Sequence, residues 1–371
     1  MIGRARSGTR PPTILISGGG TGGHVYPALA LADELVARGH DREHIRFVGA
    51  TRGIEGRAVR AAGFEIDLLP GRGLARDLSV KGLVQNARTV LDTIRAFAGA
   101  VRIVARVRPA VVVGVGGYAS LPAVVAARAR RIPVVVHESD AHPGLANRIA
   151  VTLGARAAVS LPDTALRGAV VTGNPIRPEI AAVQRAPTVP PTVAVVGGSL
   201  GARRINDAAL GLYDGWRQRD DVVIHHVTGD RDYEGCATRL AALRAPGDAL
   251  TYRLVRYEDH MDTLYASATL IVSRAGGMTA ELAAVGMPAV LVPLPGAPGD
   301  HQTRNAEVFA RAGAAVMVSD PDLSAPRLAA ILDELVGDPA RVTAMSDAAR
   351  ALAHPDATAR FADLVEAAAR A

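Results

Sequence analysis

The stretch TILISGGGTGGH, residues 13–24, reads as a strand, Thr13–Ser17, that runs into five glycines in six positions. A Pro-started apolar segment, His24 to Ala32, follows and reads as a helix. A strand, a turn that only glycine can make and a helix N-terminus together form a place where backbone N–H groups and the helix dipole attract anions. Gly18, Gly20 and Gly23 even satisfy the dinucleotide spacing G-x-G-x-x-G. A nicotinamide cofactor, however, needs an Asp or Glu at the end of the next strand, about 20 residues on. That strand ends Phe47-Val48-Gly49-Ala50-Thr51, with no carboxylate. What the turn carries instead is a titratable side chain, His24.

Composition bounds the possibilities. The chain has 371 residues, enough for two domains with separate cores, and 49% are apolar against 21% charged, as in a globular protein. Lys81 is the only lysine, which excludes a Walker A phosphate loop. Cys236 is the only cysteine, so no intramolecular disulfide and no Cys-based zinc site forms; a reducing cytosol fits. The net charge of +6 favours anionic partners, although arginine-rich composition alone produces it. Residues 109–127 carry no charge, but Gly114, Gly116, Gly117, Ser120 and Pro122 fit strand, turn and helix better than a membrane span. Residues 1–12 read as a loose tail, because the apolar run behind their arginines is too short for a signal peptide.

Outward from the first turn the chain alternates strand and helix. Strands are expected at Ile45–Gly49, Phe64–Leu68, Pro109–Val115 and Pro133–His137, with a helix near Ile54–Ala61. Runs apolar on both faces belong to a parallel sheet covered by helices, that is, to a doubly wound α/β domain. Val80–Arg108 is the longest helical stretch of the first half. From Arg72 to Arg108 the chain places Arg72, Arg76, Lys81, Arg88, Arg95, Arg102, Arg106 and Arg108 against only Asp77 and Asp92. It reads as a sheet-covering helix with a solvated basic face; the sharper reading is a patch resting on an anionic membrane surface. Ala186–Pro191 reads as a Pro-stiffened linker.

At Thr192 the plan restarts, with strand Thr192–Val196, the glycine turn Gly197–Ala202 and a helix from Arg203. Further strands are expected at Val222–Val227, Thr251–Val255, Leu270–Ser273, Ala289–Pro293 and Ala315–Val318. Pro339–Ala371 reads as one or two helices, broken near Pro355, that pack back on the first domain. The expectation is two Rossmann-like domains, residues 13–178 and 192–338, facing one cleft. Ligands on open α/β sheets bind beyond the carboxyl ends of the strands, where both glycine turns sit. Asp230-Arg231-Asp232 and Asp320-Pro321-Asp322 have the spelling of metal-binding Asp-x-Asp, but each reads as a cap ahead of a helix.

The motifs GGGTGGHVYPALALA, VGVGGYASLP, HESDAHPGLANR, GNPIR, GGSLGARRIN, SRAGGMTAEL and DHQTRNA occur in this order from Thr13 to Asn305. In that order they resemble the MurG family of glycosyltransferases, which have the GT-B fold. The resemblance implies transfer of N-acetylglucosamine from UDP-GlcNAc to undecaprenyl-diphosphate-linked MurNAc-pentapeptide, at the cytoplasmic face of the membrane. It implies an acceptor-facing N-terminal domain and a UDP-GlcNAc-binding C-terminal domain. It implies inversion at the anomeric carbon, the MurNAc C4 hydroxyl as acceptor, no cofactor, no metal and no nucleic acid.

Histidine changes charge near neutral pH, so His24 can take the proton of an attacking sugar hydroxyl, and a helix N-terminus keeps it neutral. Thr21, Gly22 and Gly23 share its turn. Ser199 and Gly201 of the second turn would hold the UDP diphosphate, with Arg177 of GNPIR as charged partner. The resemblance places Met278 and Thr279 against the sugar-diphosphate, Glu281 on the ribose hydroxyls, Gln302 on the GlcNAc hydroxyls with Asn305 in the same segment, and Tyr257 and Glu258 near the uracil. Relatives usually have one more residue between that Thr and Glu; one residue turns a helix by about 100°, so Thr279 and Glu281 cannot both keep the usual aim. Asp140 stands where relatives usually have Asn, and a carboxylate only accepts and would repel a diphosphate. His137, Glu138 and Asn147 flank it and orient the loop, Asn147 also counting toward the substrate site. The remaining histidines, His301 among them, are assigned no role. Two other readings stay open: a same-fold enzyme with another acceptor or a UDP-GlcNAc 2-epimerase, and a nicotinamide-dependent oxidoreductase.

Overall fold

The computed structural model describes residues 12–51, 53–70, 80–117, 119–162, 164–198 and 201–371. The first half holds β1 (Ile14–Ser17), α1 (Gly22–Ala37), β2 (Ile45–Ala50), α2 (Glu55–Ala61), β3 (Glu65–Leu69), α3 (Val80–Val107) and β4 (Val111–Gly114). It continues with α4 (Ser120–Ala129), β5 (Val134–Glu138), α5 (Leu145–Thr152), β6 (Arg156–Val159) and β7 (Val170–Val171). These strands form one parallel sheet in the order β3-β2-β1-β4-β5-β6-β7. The valine runs of β4 and β5 are fully buried because helices cover both sheet faces. β6 and β7 were not expected; Arg156–Val159 is too short, and too like its Ala-rich surroundings, to stand out.

After α6 (Pro178–Ala181) come β8 (Thr192–Val196), α7 (Arg203–Trp216), β9 (Val223–Val227), α8 (Tyr233–Leu243), β10 (Thr251–Val255), α9 (Met261–Ser267) and β11 (Leu270–Ser273). Then follow α10 (Met278–Val285), β12 (Ala289–Leu291), α11 (His301–Arg311), β13 (Ala315–Met317) and α12 (Ala325–Val336). The second sheet is also parallel, in the order β10-β9-β8-β11-β12-β13. In each sheet the winding direction reverses between the first strand and its fourth, β1/β4 and β8/β11. A reversal leaves a crevice at the carboxyl ends of the strands.

The chain closes with α13 (Pro339–Ala351) and α14 (Ala357–Ala369). Asp338 accepts the Arg341 N–H (2.9 Å) and so caps α13. α14 returns to the first sheet, burying Phe361, Ala362 and Val365 beside Ile14, Leu31 and Leu35. Arg38 at the end of α1 clamps it through Asp363, Glu366 and the Ala359 carbonyl. The Pro-rich linker is tied to α9, since the Ala186 and Thr188 N–H groups donate to Ala266 and Ser267. Among the described residues no helix is long and apolar enough to cross a membrane.

Burial keeps two core histidines neutral. His137 bonds the Gly173 carbonyl and lies against Phe361; His226 sits between Tyr252 and Asn206. Desolvation pushes His137 down to about 4 and His226 to about 3, against 6.5 for a solvated imidazole. Between those values only the unfolded chain binds the proton, so stability falls as pH drops below about 6.5 and levels off near the folded values. The expected loss by pH 4 is on the order of a few kcal/mol. Urea unfolding at pH 7 and pH 4.5 measures it, and substituting either histidine by Gln should flatten the pH dependence.

Candidate active site

The two reversal points face one another across a cavity of about 1650 Å³. One wall is the β1–α1 turn with the β4 turn behind it; the other is the Gly276–Gly277 turn after β11, with Gly198 after β8. The walls meet at glycine on glycine. A β-carbon added to Gly277 would stand 3.0 Å from the Gly23 Cα. Gly277 has ordinary helical φ/ψ, so Gly277→Val should fold normally while wedging the walls apart. A misplacement of about 1 Å costs catalysis roughly 10²-fold; the expected result is that loss in kcat/KM with an unchanged melting temperature.

His24 lies in the first turn of α1, which begins at Gly22, two residues before the segment read from sequence. Pro27 is therefore inside the helix rather than at its start. The His24 Nδ1 is 3.4 Å from the Thr21 hydroxyl. Its Cδ2–Nε2 edge lies under Gly116, where an added β-carbon would sit 2.9 Å away and where φ of +91° also demands glycine. Burial lowers the His24 pKa below the usual imidazole value. The carboxylates of Glu138 and Glu55 and the Gly19 carbonyl oppose that shift, and His301 reinforces it. A half-buried, neutral imidazole at the mouth of a cleft can accept a proton.

The first glycine turn is not the empty anion cradle expected from its sequence. Glu55 reaches under it from α2, and its carboxylate accepts the Gly20 N–H (3.0 Å) and the Ala50 N–H (2.9 Å). A carboxylate therefore does stand beside the turn, supplied by the helix instead of the strand end, but it is 1% exposed and faces backbone. The turn's inner N–H is therefore taken.

Glu138, at the end of β5, organises the neighbouring loop. It accepts from the Asp140 and Gly144 N–H groups (3.1 and 2.8 Å) and from Asn147 Nδ2 (2.9 Å), which also donates to the His137 carbonyl. Asn147 thus spends its amide donors on the loop. The Asp140 carboxylate faces the second wall, with Oδ1 3.8 Å from His301 Nε2. Burial raises its pKa, while His301 and a hydrogen bond from Asn305 pull it down. The repulsion expected between Asp140 and a diphosphate is thereby moderated by two groups on the facing helix α11. His301, set aside in the sequence reading, belongs to the site; its place directly before Gln302 was the available signal.

Arg177 stacks on the Tyr26 ring (4.5 Å) and pairs with Glu281 (3.3 Å) and Glu179 (3.5 Å). Glu281 also accepts the Tyr265 hydroxyl (2.8 Å). Tyr26, which no motif singles out, meets Tyr257 hydroxyl to hydroxyl (2.8 Å), bridging the walls. Glu258 holds His225 (3.2 Å) and the His260 N–H. Glu281 and Met278 line the cavity, whereas the Thr279 hydroxyl turns back to the Gly276 carbonyl (2.9 Å).

Gln302, Asn305 and Gly201 do not line the cavity. Gln302 accepts the Leu294 N–H, and Asn305 donates to the Ala275 carbonyl, so both brace the loops that do. Gly201 packs against the Thr228 carbonyl. Ser199 lies outside the described residues, as do Arg72 and Arg76 and the side chains of Lys81 and Arg88. Asp232 takes the expected N-cap position of α8, although its side chain does not bond the helix N–H groups, whereas Asp320-Pro321-Asp322 caps no helix. Asp232 bonds Asn206 and Arg231, and Asp320 pairs with Arg274 and Arg204. Among the described residues no three His, Cys, Asp or Glu side chains are grouped to hold a metal ion.

Two family models match the chain: the glycosyltransferase family 28 N-terminal domain over residues 14–159 and its C-terminal domain over residues 192–366. A protein of Acidothermus cellulolyticus is 42% identical over 96% of this chain and 98% of its own length, and one of Nocardioides is 41% identical over 95% and 97%. Both are named UDP-N-acetylglucosamine–N-acetylmuramyl-(pentapeptide) pyrophosphoryl-undecaprenol N-acetylglucosamine transferase. The crystal structure of Acinetobacter baumannii MurG superposes with a TM-score of 0.73 at 28% identity, covering 96% of this chain and all of that one.

Proposed function

The chain belongs to glycosyltransferase family 28 and, within it, to the MurG family, and from that membership we propose that its cleft moves GlcNAc from UDP-GlcNAc to undecaprenyl-diphosphate-linked MurNAc-pentapeptide. The observation that carries the mechanism is a neutral, half-buried His24 on one wall facing the Gly276–Gly277 turn on the other. His24 takes the proton of the MurNAc C4 hydroxyl as that oxygen bonds to the anomeric carbon. The bond from that carbon to UDP breaks on the opposite side, inverting the centre. The electron pair leaves on the β-phosphate, toward Gly198 after β8 and the N-terminus of α10.

Glu281, fixed by Arg177 and Tyr265, is the acceptor for the ribose hydroxyls, and Tyr257 with Glu258 borders the base. Thr21, Gly22, Gly23 and Asp140 border the acceptor, and Met278 the donor. Gln302 and Thr279 act on the donor through the loops they brace.

On α3, Leu91, Ile94 and Val101 are exposed beside Arg95 and Arg102, while Ala96, Ala100 and Val104 face the sheet. An exposed apolar stripe with arginines suits the anionic inner leaflet, where a lipid-linked acceptor lies, and supports a peripheral place at the cytoplasmic face. Incubation with both substrates in EDTA tests the chemistry. The proposal expects a β-linked disaccharide-lipid at the metal-replete rate. Strict dependence on Mg²⁺ or Mn²⁺, or retention of configuration, contradicts it.

A further inference from the structure

The mechanism above leaves Glu55 without a task, yet the fold goes to some length to seat it. Its carboxylate is enclosed by Gly19, Gly49 and Gly53; a β-carbon on any of them would stand 2.1–2.5 Å from a Glu55 side-chain atom. One oxygen accepts the Ala50 N–H at the end of β2, the other the Gly20 N–H in the His24 turn. That N–H belongs to the peptide unit whose carbonyl is Gly19 C=O. The same carbonyl faces the His24 ring and favours its protonated form. Both lie under the Gly116–Gly117 turn: added β-carbons there would stand 2.4 Å from the Gly19 oxygen and 2.9 Å from His24 Nε2.

We propose that Glu55 is a positioning residue for His24, acting through the Gly19–Gly20 peptide: it fixes the N–H of that peptide and so the carbonyl that orients and polarises the imidazole. A carboxylate on the N–H of an amide draws electron density toward its oxygen, which makes the carbonyl a more negative neighbour for the imidazole ring. The arrangement does the work of a carboxylate bonded directly to a catalytic histidine, with one peptide unit inserted. No proton leaves Glu55. When His24 takes the acceptor's proton, the polarised carbonyl and the negative charge behind it stabilise the imidazolium.

Other groups also face His24. Glu138 and His137 approach from the end of β5, His301 from α11 and Thr21 from the turn itself. Glu138 and Glu55 favour the charged ring and His301 disfavours it, while the fully buried His137 stays uncharged down to about 4. Removing the Glu55 charge therefore lowers the His24 pKa further and leaves Glu138 as its remaining anionic neighbour.

The proposal rests on His24 being the base, and the experiment separates the two. Wild type, Glu55→Gln and His24→Ala are compared for kcat, KM for UDP-GlcNAc and the acid limb of kcat/KM. Glu55→Gln keeps the volume but loses the charge. We expect kcat to fall at least tenfold, KM to stay within twofold, and the acid limb to move to lower pH. A Glu55→Gln enzyme with wild-type kcat and an unmoved acid limb, alongside an inactive His24→Ala, overturns the relay alone. A His24→Ala enzyme of normal turnover overturns the underlying reading, whatever Glu55→Gln does. If Glu55→Gln does not fold, Glu55→Asp carries the test, because it keeps the charge and shortens the reach. It should lower kcat with KM and the acid limb unmoved; unchanged kcat, or KM rising in step, overturns the proposal.

Discussion

His24→Ala should fold and melt within a few degrees of the wild type while losing turnover by about 10²–10⁴-fold, the contribution of a positioned general base. The stability part follows from what His24 touches. Its ring makes one long hydrogen bond, to the Thr21 hydroxyl (3.4 Å), and lies in the cavity wall outside the core clusters. Alanine also suits a helical position better than histidine. The kinetic part follows from burial. His24 is held neutral near pH 7, so it is ready as a base, and no other imidazole occupies its place beside Gly116. KM for UDP-GlcNAc should change little, because the proposed donor contacts lie on the other wall. The acid limb of the wild-type profile lies below pH 6.5, since protonation removes the base and burial lowers that pKa; the variant should lack the limb.

Arg177→Ala should damage both stability and turnover, and a second substitution should separate them. Arg177 and Glu281 are an interior pair, with side chains 16% and 13% exposed. Removing the guanidinium strands the Glu281 carboxylate with the Tyr265 hydroxyl as its hydrogen-bonding partner. Breaking a fully buried pair costs about 3–5 kcal/mol, and residual exposure here reduces that to about 2 kcal/mol. Tyr26 loses its stacked cation as well, loosening the Tyr26–Tyr257 bridge between the walls. Activity should drop by about 10²-fold, as for a misplaced site. Arg177→Ala with Glu281→Gln should regain most of the lost stability, because no stranded charge remains, yet stay as inactive. Recovery of both would reduce the pair to a structural brace.

Much of this was legible in the sequence, for identifiable reasons. The runs at Val111–Val113 and Val134–Val136 could only be buried parallel strands, and the glycine turns after Ser17 and Val196 could only lie at strand ends. Two such units in series implied facing walls. Local pattern also separated α13 from α14 at Pro355. The misreadings share a different cause. Glu55 carries no local signal, and only the fold of α2 sets it beneath a turn 35 residues earlier. Asp320 looks like a cap until β11 delivers Arg274 to it. His301 and Asp140 are 161 positions apart, and only the closed cleft brings them together. Each depends on long-range placement that neither periodicity nor spacing encodes.

The most direct test of the account is UDP release from UDP-GlcNAc, in EDTA, with and without a lipid-linked MurNAc-pentapeptide analogue. The account predicts release that requires the acceptor and disappears in His24→Ala. Release without acceptor, or binding of UDP-GlcNAc with no acceptor-dependent turnover, would contradict it.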